Sequence, residues 1–318
     1  MQAKALWHLS PTQSTIKEEE LAVPDTGNIL LQSVFSLISN GTERIVASGL
    51  VPKELQAHMG VPYMGGSFEF PIKYGYSLVA QGKALEGGEP SFFHVMHPHQ
   101  DQLVVSSAAI QEIPTTIPPK RAVLTSNVET AVNAVWDSGV SIGDKVMVVG
   151  FGLIGSLVAR VLSLLPAVDV VVAETNTYRS QLAQQMGFTI YSDAQEFDIA
   201  YNTSANAEGL QLGVEAVGNA GKVVELSWYG TKLTPIHLGG SFHYGRKQII
   251  SSQVSQIPVE RTLRWDYARR KQVVFKLLEN PIFDEHLTHE IAFEETPNFF
   301  EKLRNGQLTD GLSWVVKY

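Results

Sequence analysis

The chain has 318 residues, a net charge of -8 from 24 basic and 32 acidic side chains, and no cysteine. A length of this size predicts about two domains, each able to bury a full core. The acidic balance argues against a nucleic-acid partner, and the missing cysteines exclude disulfides and thiolate metal ligands. The start lacks a basic segment followed by an apolar one, and the longest near-apolar run, 146–159, is too short to span a membrane. We therefore expect a cytoplasmic protein without a membrane segment.

The first 118 residues predict short strands and turns, with a strand over 28–38 and a short helix within 41–49. Prolines at 118 and 119 and Gly139 predict the two ends of a helix. From 144 onward, apolar strands alternate with helices, which is typical of a parallel sheet covered on both faces. The strands are predicted at 144–149, 168–174, 198–203, 221–230 and 247–254, and the helices at 153–165 and 177–187.

The tail returns to a mixed pattern, with helices near 264–280 and 297–306 and a closing strand over 313–318. The whole pattern predicts an α/β protein in which a parallel-sheet domain, 119–264, is inserted into a mainly β domain formed by 1–118 and 265–318. Within the tail, "RWDYARR" (264–270) predicts a solvated helical face with surface salt bridges.

The segment "VVGFGLIG" carries the spacing G-x-G-x-x-G between a predicted strand and a predicted helix. In that context the pattern indicates a dinucleotide-binding loop, with the pyrophosphate at the helix N-terminus. Glu174 ends the next strand, where a carboxylate accepts hydrogen bonds from an adenosine ribose and favours NAD, although nearby Arg179 leaves NADP possible. The predicted cofactor-binding residues are Gly150, Gly152, Leu153, Ile154, Gly155, Glu174, Arg179 and Trp228.

A β-rich first part, a late G-x-G-x-x-G and a C-terminal return together resemble the medium-chain dehydrogenase/reductase superfamily over nearly the whole chain. The resemblance implies a GroES-like, mainly β catalytic domain plus a Rossmann domain with a doubly wound parallel sheet. It is closest to the zinc-type alcohol, sorbitol and threonine dehydrogenases. The segments "GTER" and "VAETN" also give a partial similarity to bacteriochlorophyllide hydroxyethyl dehydrogenases.

The resemblance also assigns candidate catalytic positions. In "NGTE", Thr42 matches the proton-relay hydroxyl of the zinc-type branch, and Asn40 stands where a ligand cysteine is found. In "KYGYS", Tyr76 stands in place of a ligand histidine. Glu129 of "NVETAVNAV" matches a ligand glutamate. The structural zinc lobe is absent together with its cysteines.

Zinc needs three protein ligands and one open position, and at the matched positions Glu129 alone is a plausible ligand. The pair His97 and His99 offers an alternative. A metal shared by these two side chains would need a local kink in the chain at Pro98. We therefore predict no metal site, with Tyr76 as proton donor, Thr42 as relay through the cofactor ribose, and His97 or His99 exchanging the proton with solvent.

Each of these residues also has a structural explanation: Tyr76 as a packed aromatic, Glu129 as a paired helix residue, the histidines as surface features, and Trp228 as core. The leading functional prediction is an NAD(P)-dependent dehydrogenase or reductase acting on a small alcohol or carbonyl without catalytic zinc. An enone or quinone reductase and a nucleotide-binding protein without catalysis remain as alternatives. The resemblance further implies a homodimer, formed through 231–250.

Overall fold

The structure is a computed structural model that describes residues 1–83, 90–192 and 195–318. Contacts divide the chain into two compact units. Unit 1 contains Met1–Ser126, Phe275–Leu308 and Ser313–Tyr318, and unit 2 contains Asn127–Val274 and Thr309–Leu312. Among the helices of the described residues, none has the length and apolar character needed to cross a membrane.

Unit 1 is mainly β. Its first strands are β1 (Gln2–Ser10), β2 (Gln13–Glu20), β3 (Asn28–Ile38), β4 (Gly65–Gly66), β5 (Ile72–Lys73), β6 (Leu78–Lys83), β7 (Pro90–Val95), β8 (Gln102–Ser106) and β9 (Ile110–Glu112). The helices among and after them are α1 (Asn40–Ala47), α2 (Gln56–Met59) and α3 (Pro119–Ala122). The strand over 28–38 and the helix expected within 41–49 are confirmed.

Unit 2 is built on a parallel sheet. Its strands are β10 (Lys145–Val149), β11 (Asp169–Ala173), β12 (Thr189–Ile190), β13 (Phe197–Asn202), β14 (Val217–Glu225) and β15 (Gln248–Ser251). The helices are α4 (Thr125–Ser138), α5 (Leu153–Ser163), α6 (Thr177–Gln185), α7 (Ala207–Ala216), α8 (Ser241–Tyr244) and α9 (Tyr267–Leu278). Helix α4 begins in unit 1 and α9 ends there.

The chain closes in unit 1 with β16 (His289–Ala292), α10 (Thr296–Arg304) and β17 (Trp314–Lys317). Single 3-10 turns lie at Lys53–Leu55, Ser107–Ala109, Val259–Arg261, Pro281–His286 and Phe293–Glu295. The sheets of unit 1 have the strand orders β2-β1-β5-β4 and β16-β17-β3-β6-β7-β9, with β8 also pairing with β3. The pairing is antiparallel except between β16 and β17.

The sheet of unit 2 has the order β12-β11-β10-β13-β14-β15, and each neighbouring pair is parallel. The carboxyl ends of its strands therefore meet at one edge, and the order reverses next to β10, where doubly wound sheets bind their ligands. The central strand β10 is apolar and buried over Val146–Val149, as expected for a strand covered on both faces. Helix α5 is buried along most of its length. The predicted α/β class is confirmed.

Candidate active site

The loop between β10 and α5 has the geometry that its glycines predict. Gly150 has φ +90°, where a side chain would be strained. A side-chain carbon at Gly155 would come within 2.0 Å of the Gly150 carbonyl oxygen, so only glycine fits there. At Gly152 the nearest such neighbour is Arg179 Nη1, at 3.9 Å, which leaves the backbone open to an approaching ligand. Thr203 donates its hydroxyl to the Gly150 carbonyl oxygen at 2.9 Å and holds the turn in place.

Gly152 is the N-cap of α5, so the helix begins at Leu153 and its first amides lie at the loop. The helix has eleven residues, and this end carries the positive end of its dipole. A pyrophosphate is the group that such a terminus, preceded by an open glycine, is suited to bind.

Glu174 follows β11 at the same edge of the sheet. Its Oε2 accepts the backbone N–H of Phe151 at 2.7 Å, and its Oε1 accepts that of Asn176 at 2.7 Å. A carboxylate has about four acceptor positions, so both oxygens retain capacity for hydroxyl donors. The contact with Phe151 ties this carboxylate directly to the glycine loop.

Arg179 lies in the first turn of α6, whose N-cap is Asn176. Its Nε donates to the carbonyl oxygen of Gly311 at 3.3 Å, and Asn176 Nδ2 donates to that of Thr309 at 3.1 Å. The short segment Thr309–Leu312 is thereby held against the start of α6. Arg179 thus brings a positive charge beside the open face of Gly152.

The ends of β13 and β14 carry a polar group formed by Asn202, Glu225 and Tyr229. Asn202 donates to Glu225 Oε2 at 2.7 Å and to the hydroxyl of Tyr229 at 3.1 Å, and Tyr229 also donates to Glu225 at 3.0 Å. Burial, with Glu225 adding to it, raises the pKa of the Tyr229 phenol to about 12. Beside it, the Trp228 indole N–H is buried and has no hydrogen-bond acceptor within the described ranges.

In unit 1, Tyr76 and Thr42 come together as the resemblance implied. The Tyr76 phenol makes hydrogen bonds to the side chains of Ser39 and Thr42, at the start of α1. Burial raises the pKa of this phenol to about 12, while those two hydroxyls pull it down and the charge of Glu43 raises it further. Tyr76 is therefore a neutral proton donor at physiological pH.

His99 forms a buried pair with Glu43 of α1. His99 Nε2 lies 2.9 Å from Glu43 Oε2, and each side chain is 1% exposed. His99 Nδ1 lies 2.7 Å from Ser36 Oγ, which in turn lies 2.9 Å from the hydroxyl of Tyr318. Because a carboxylate only accepts, His99 Nε2 must donate to Glu43.

His97 is placed differently. It is buried, its ring stacks on Tyr63 with centroids 5.1 Å apart, and its Nδ1 lies 2.9 Å from the carbonyl oxygen of Pro98. Burial lowers the pKa of His97 to about 4, against the opposing effect of the Pro98 carbonyl, so the ring is neutral at pH 7. Direct proton exchange with solvent, expected for His97 or His99, does not fit the burial of either ring.

Ser126 is a neighbour of Tyr76 that the sequence did not reveal. Its hydroxyl donates to the carbonyl oxygen of Tyr76 at 2.9 Å and lies 3.2 Å from His94 Nε2. Ser77 donates to the carbonyl oxygen of Val123 at 2.6 Å and lies 3.5 Å from the same nitrogen of His94. These contacts hold the backbone that carries Tyr76, and no local sequence pattern predicts them.

Glu129 lies on α4 in unit 2, where it is buried by cationic partners. Its carboxylate accepts hydrogen bonds from Arg270 Nε at 3.3 Å and from the ammonium of Lys271. Arg270 also donates to Asn133 Oδ1 at 2.7 Å. The prediction of a solvated face for 264–270 is wrong for Arg270, which is 4% exposed, because Glu129 and Asn133 supply the acceptors that burial requires.

The residues at the matched positions do not fit a zinc ion. Asn40 and a neutral Tyr76 are poor ligands, and the charge of Glu129 is already compensated by two cations. Across the described residues, no group of three or more histidine, aspartate or glutamate side chains is arranged to hold a metal.

Comparisons with known proteins identify the fold. No family model matches the chain. The D-guloside 3-dehydrogenase of Shigella flexneri is 22% identical over 191 residues, which is 55% of this chain and 55% of that protein. The chain thus matches about half the length of this curated relative.

Two solved structures cover the whole chain. L-Idonate 5-dehydrogenase from Escherichia coli K-12 superposes with a TM-score of 0.79 at 13% identity, covering 100% of this chain and 99% of that one. Acetophenone reductase from Geotrichum candidum, solved with NAD, superposes with a TM-score of 0.78 at 16% identity, covering 100% of this chain and 97% of that one. The fold is that of medium-chain dehydrogenases/reductases, with GroES-like and Rossmann domains, and the resemblance predicted from the sequence is confirmed.

Proposed function

We propose that the protein is an NAD(P)-dependent oxidoreductase that interconverts an alcohol and a carbonyl compound without a catalytic zinc ion. The observation that carries the proposal is the loop at Gly150–Gly155, with its open glycine, the start of α5 and the carboxylate of Glu174 at one edge of the sheet. Dehydrogenase relatives and neighbours support the same class of reaction.

NAD is the proposed cofactor. Glu174 retains acceptor positions for ribose hydroxyls, and its charge would repel a 2'-phosphate. The positive charge of Arg179 would favour a 2'-phosphate, but its Nε already donates a hydrogen bond to the carbonyl oxygen of Gly311. Titration of the protein with NADH and NADPH tests the choice, and tighter binding of NADPH would contradict it.

The proton chemistry is assigned to Tyr76. When bound, the reduced nicotinamide supplies the hydride. Tyr76 donates its phenolic proton to the carbonyl oxygen, which becomes the alcohol oxygen, and the hydroxyls of Ser39 and Thr42 stabilise the phenolate left behind. In alcohol oxidation the phenolate takes the proton back. No step passes through zinc, because the residues at the matched positions do not fit it.

The test is turnover of the cofactor with a panel of ketones, aldehydes and conjugated enones, run with NADH and NADPH. We expect carbonyl-dependent oxidation of NADH. Reduction of the enones alone would instead favour an enone or quinone reductase. Cofactor binding without turnover of any panel member would indicate a nucleotide-binding protein, and failure to bind either cofactor would exclude all three functions.

We also propose a cytoplasmic homodimer that associates through 231–250. Strand β15 lies at the edge of its sheet, and Leu233 and Tyr244 are 90% and 87% exposed. An open strand edge and exposed apolar side chains suit association with a second copy. Sedimentation equilibrium tests this, since a monomer at micromolar concentration, or a dimer unaffected by Tyr244→Glu, would contradict it.

A further inference from the structure

The acid of α1, Glu43, is a buried charge that acts on the proposed proton donor. Two hydrogen bonds join Glu43 to Ser39 across the first turn of the helix. The Glu43 backbone N–H donates to the Ser39 carbonyl oxygen at 2.9 Å, and Glu43 Oε1 accepts the Ser39 N–H at 2.8 Å. The turn held in this way carries both hydroxyls, Ser39 and Thr42, that bind the Tyr76 phenol. The Oε1 contact supplies an acceptor for a backbone N–H at the helix start that has no partner within the helix.

The other oxygen of the same carboxylate is held by His99, at 2.9 Å. A buried carboxylate is costly unless its acceptor positions are filled and its charge is paired. The fold meets this cost with the Ser39 amide on one side and the chain His99, Ser36 and Tyr318 on the other. These contacts keep a charged carboxylate at a buried position where an apolar side chain would have a smaller desolvation penalty.

Several phenols and imidazoles of this part of unit 1 are uncharged at neutral pH. Burial raises the pKa values of the phenols of Tyr74, Tyr76 and Tyr318, and the Glu43 charge adds to each. Burial likewise lowers the pKa values of His8, to about 3, and of His97, to about 4. Glu43 thus supplies a charge that acts on the Tyr76 phenol.

We propose that Glu43 is a positioning residue for Tyr76: it holds the turn that presents the hydroxyls of Ser39 and Thr42 to the phenol, and its buried carboxylate acts electrostatically on that phenol. The proposal rests on the proposed function in so far as the phenol serves as the acid of the reaction. The protonated phenol is the form that can give a proton to a carbonyl oxygen. The pairing with His99 limits how strongly the charge opposes formation of the phenolate.

The test places difluorotyrosine at position 76 of the full chain and follows its ionisation by fluorine NMR. This analogue ionises much more readily than tyrosine, so the midpoint can be measured on the folded protein. In Glu43→Gln the midpoint is expected to fall by up to about one pH unit, since a charge that opposes the phenolate is removed. Glu43→Asp, which keeps the charge, should stay nearer the wild-type midpoint.

Glu54→Gln is the matched control, because Glu54 is an exposed acid of the same unit. Its midpoint should equal that of the wild type. An unchanged midpoint in Glu43→Gln, or an equal fall in Glu43→Asp, would overturn the proposal. If Glu43→Gln does not fold, His99→Phe carries the test: it removes the hydrogen bond that His99 Nε2 gives to Glu43 Oε2, so the midpoint should rise, and no rise counts against the proposal.

The NMR measurement requires no substrate, so a protein that turns over nothing still gives a valid result. Loss of the proposed function and loss of the positioning role are therefore separate outcomes. If turnover is found, the affinity for NADH in Glu43→Gln should stay at the wild-type value.

Discussion

The phenol of Tyr76 combines a protonated state with two hydroxyl partners that can stabilise its anion. Burial raises its pKa to about 12, and Ser39 and Thr42 act in the opposite direction. A general acid for carbonyl reduction requires both properties, because it must hold its proton until the oxygen becomes basic and then tolerate the charge left behind.

Tyr76→Phe removes that proton while keeping the ring. We expect kcat for carbonyl reduction to fall about 10²- to 10⁴-fold, the usual contribution of a positioned acid, with little change in NADH affinity. Tyr74→Phe is the matched control, since Tyr74 donates only to the carbonyl oxygen of Met59 and its ring lies edge-on to Tyr76. Full turnover in Tyr76→Phe would exclude the assigned role.

The raised pKa of Tyr76 also predicts how the two directions of the reaction depend on pH. Alcohol oxidation needs the phenolate, whose population below a pKa of about 12 rises about tenfold per pH unit. Oxidation should therefore accelerate from pH 6 to pH 9, while reduction, which uses the abundant phenol, stays nearly constant. Initial rates in both directions over this range provide the measurement, and an oxidation rate without pH dependence would contradict the assignment.

At the scale of elements, the junction of β10, the loop and α5 creates the binding position. The sequence is sufficient to predict it, because the turn, the open glycine and the helix start are all local consequences of G-x-G-x-x-G after an apolar strand. The apolar strands of unit 2 and the helix ends at Gly139 and Gly187 are predictable for the same reason.

Gly152→Ala separates the role of this loop in binding from its role in the fold. The added methyl group would lie 3.9 Å from Arg179 Nη1, so the melting temperature should change little. It would occupy the face by which a pyrophosphate approaches, so NADH affinity should fall at least tenfold. Gly60→Ala, where the added carbon meets nothing within 4 Å, is the control and should bind normally. Unchanged affinity in Gly152→Ala would mean that this face is not used.

Contacts distant in sequence could not be predicted in the same way. Glu43 and His99 are 56 residues apart, and the chain gives no pattern that joins them. The pairing of Glu129 with Arg270 and Lys271 spans more than 140 residues and reverses the expectation of a solvated helix face. Ser126, in the first turn of α4, is 50 residues from Tyr76, and serine has no local signature for that contact.

For the whole molecule, the fold is that of medium-chain dehydrogenases/reductases, but the matched ligand positions hold Asn40, Tyr76 and an already paired Glu129. The same architecture supports different chemistries, so fold alone does not decide how the carbonyl oxygen is activated. The central claim is that a phenol on the hydroxyls of Ser39 and Thr42 performs this step in place of a metal.

The most direct measurement is the rate of carbonyl-dependent NADH oxidation before and after exhaustive chelation, with the zinc content of each sample determined. The account predicts full activity in protein that holds less than about one zinc ion per ten chains, and loss of that activity in Tyr76→Phe. Activity that disappears on chelation and returns in proportion to added zinc would contradict it.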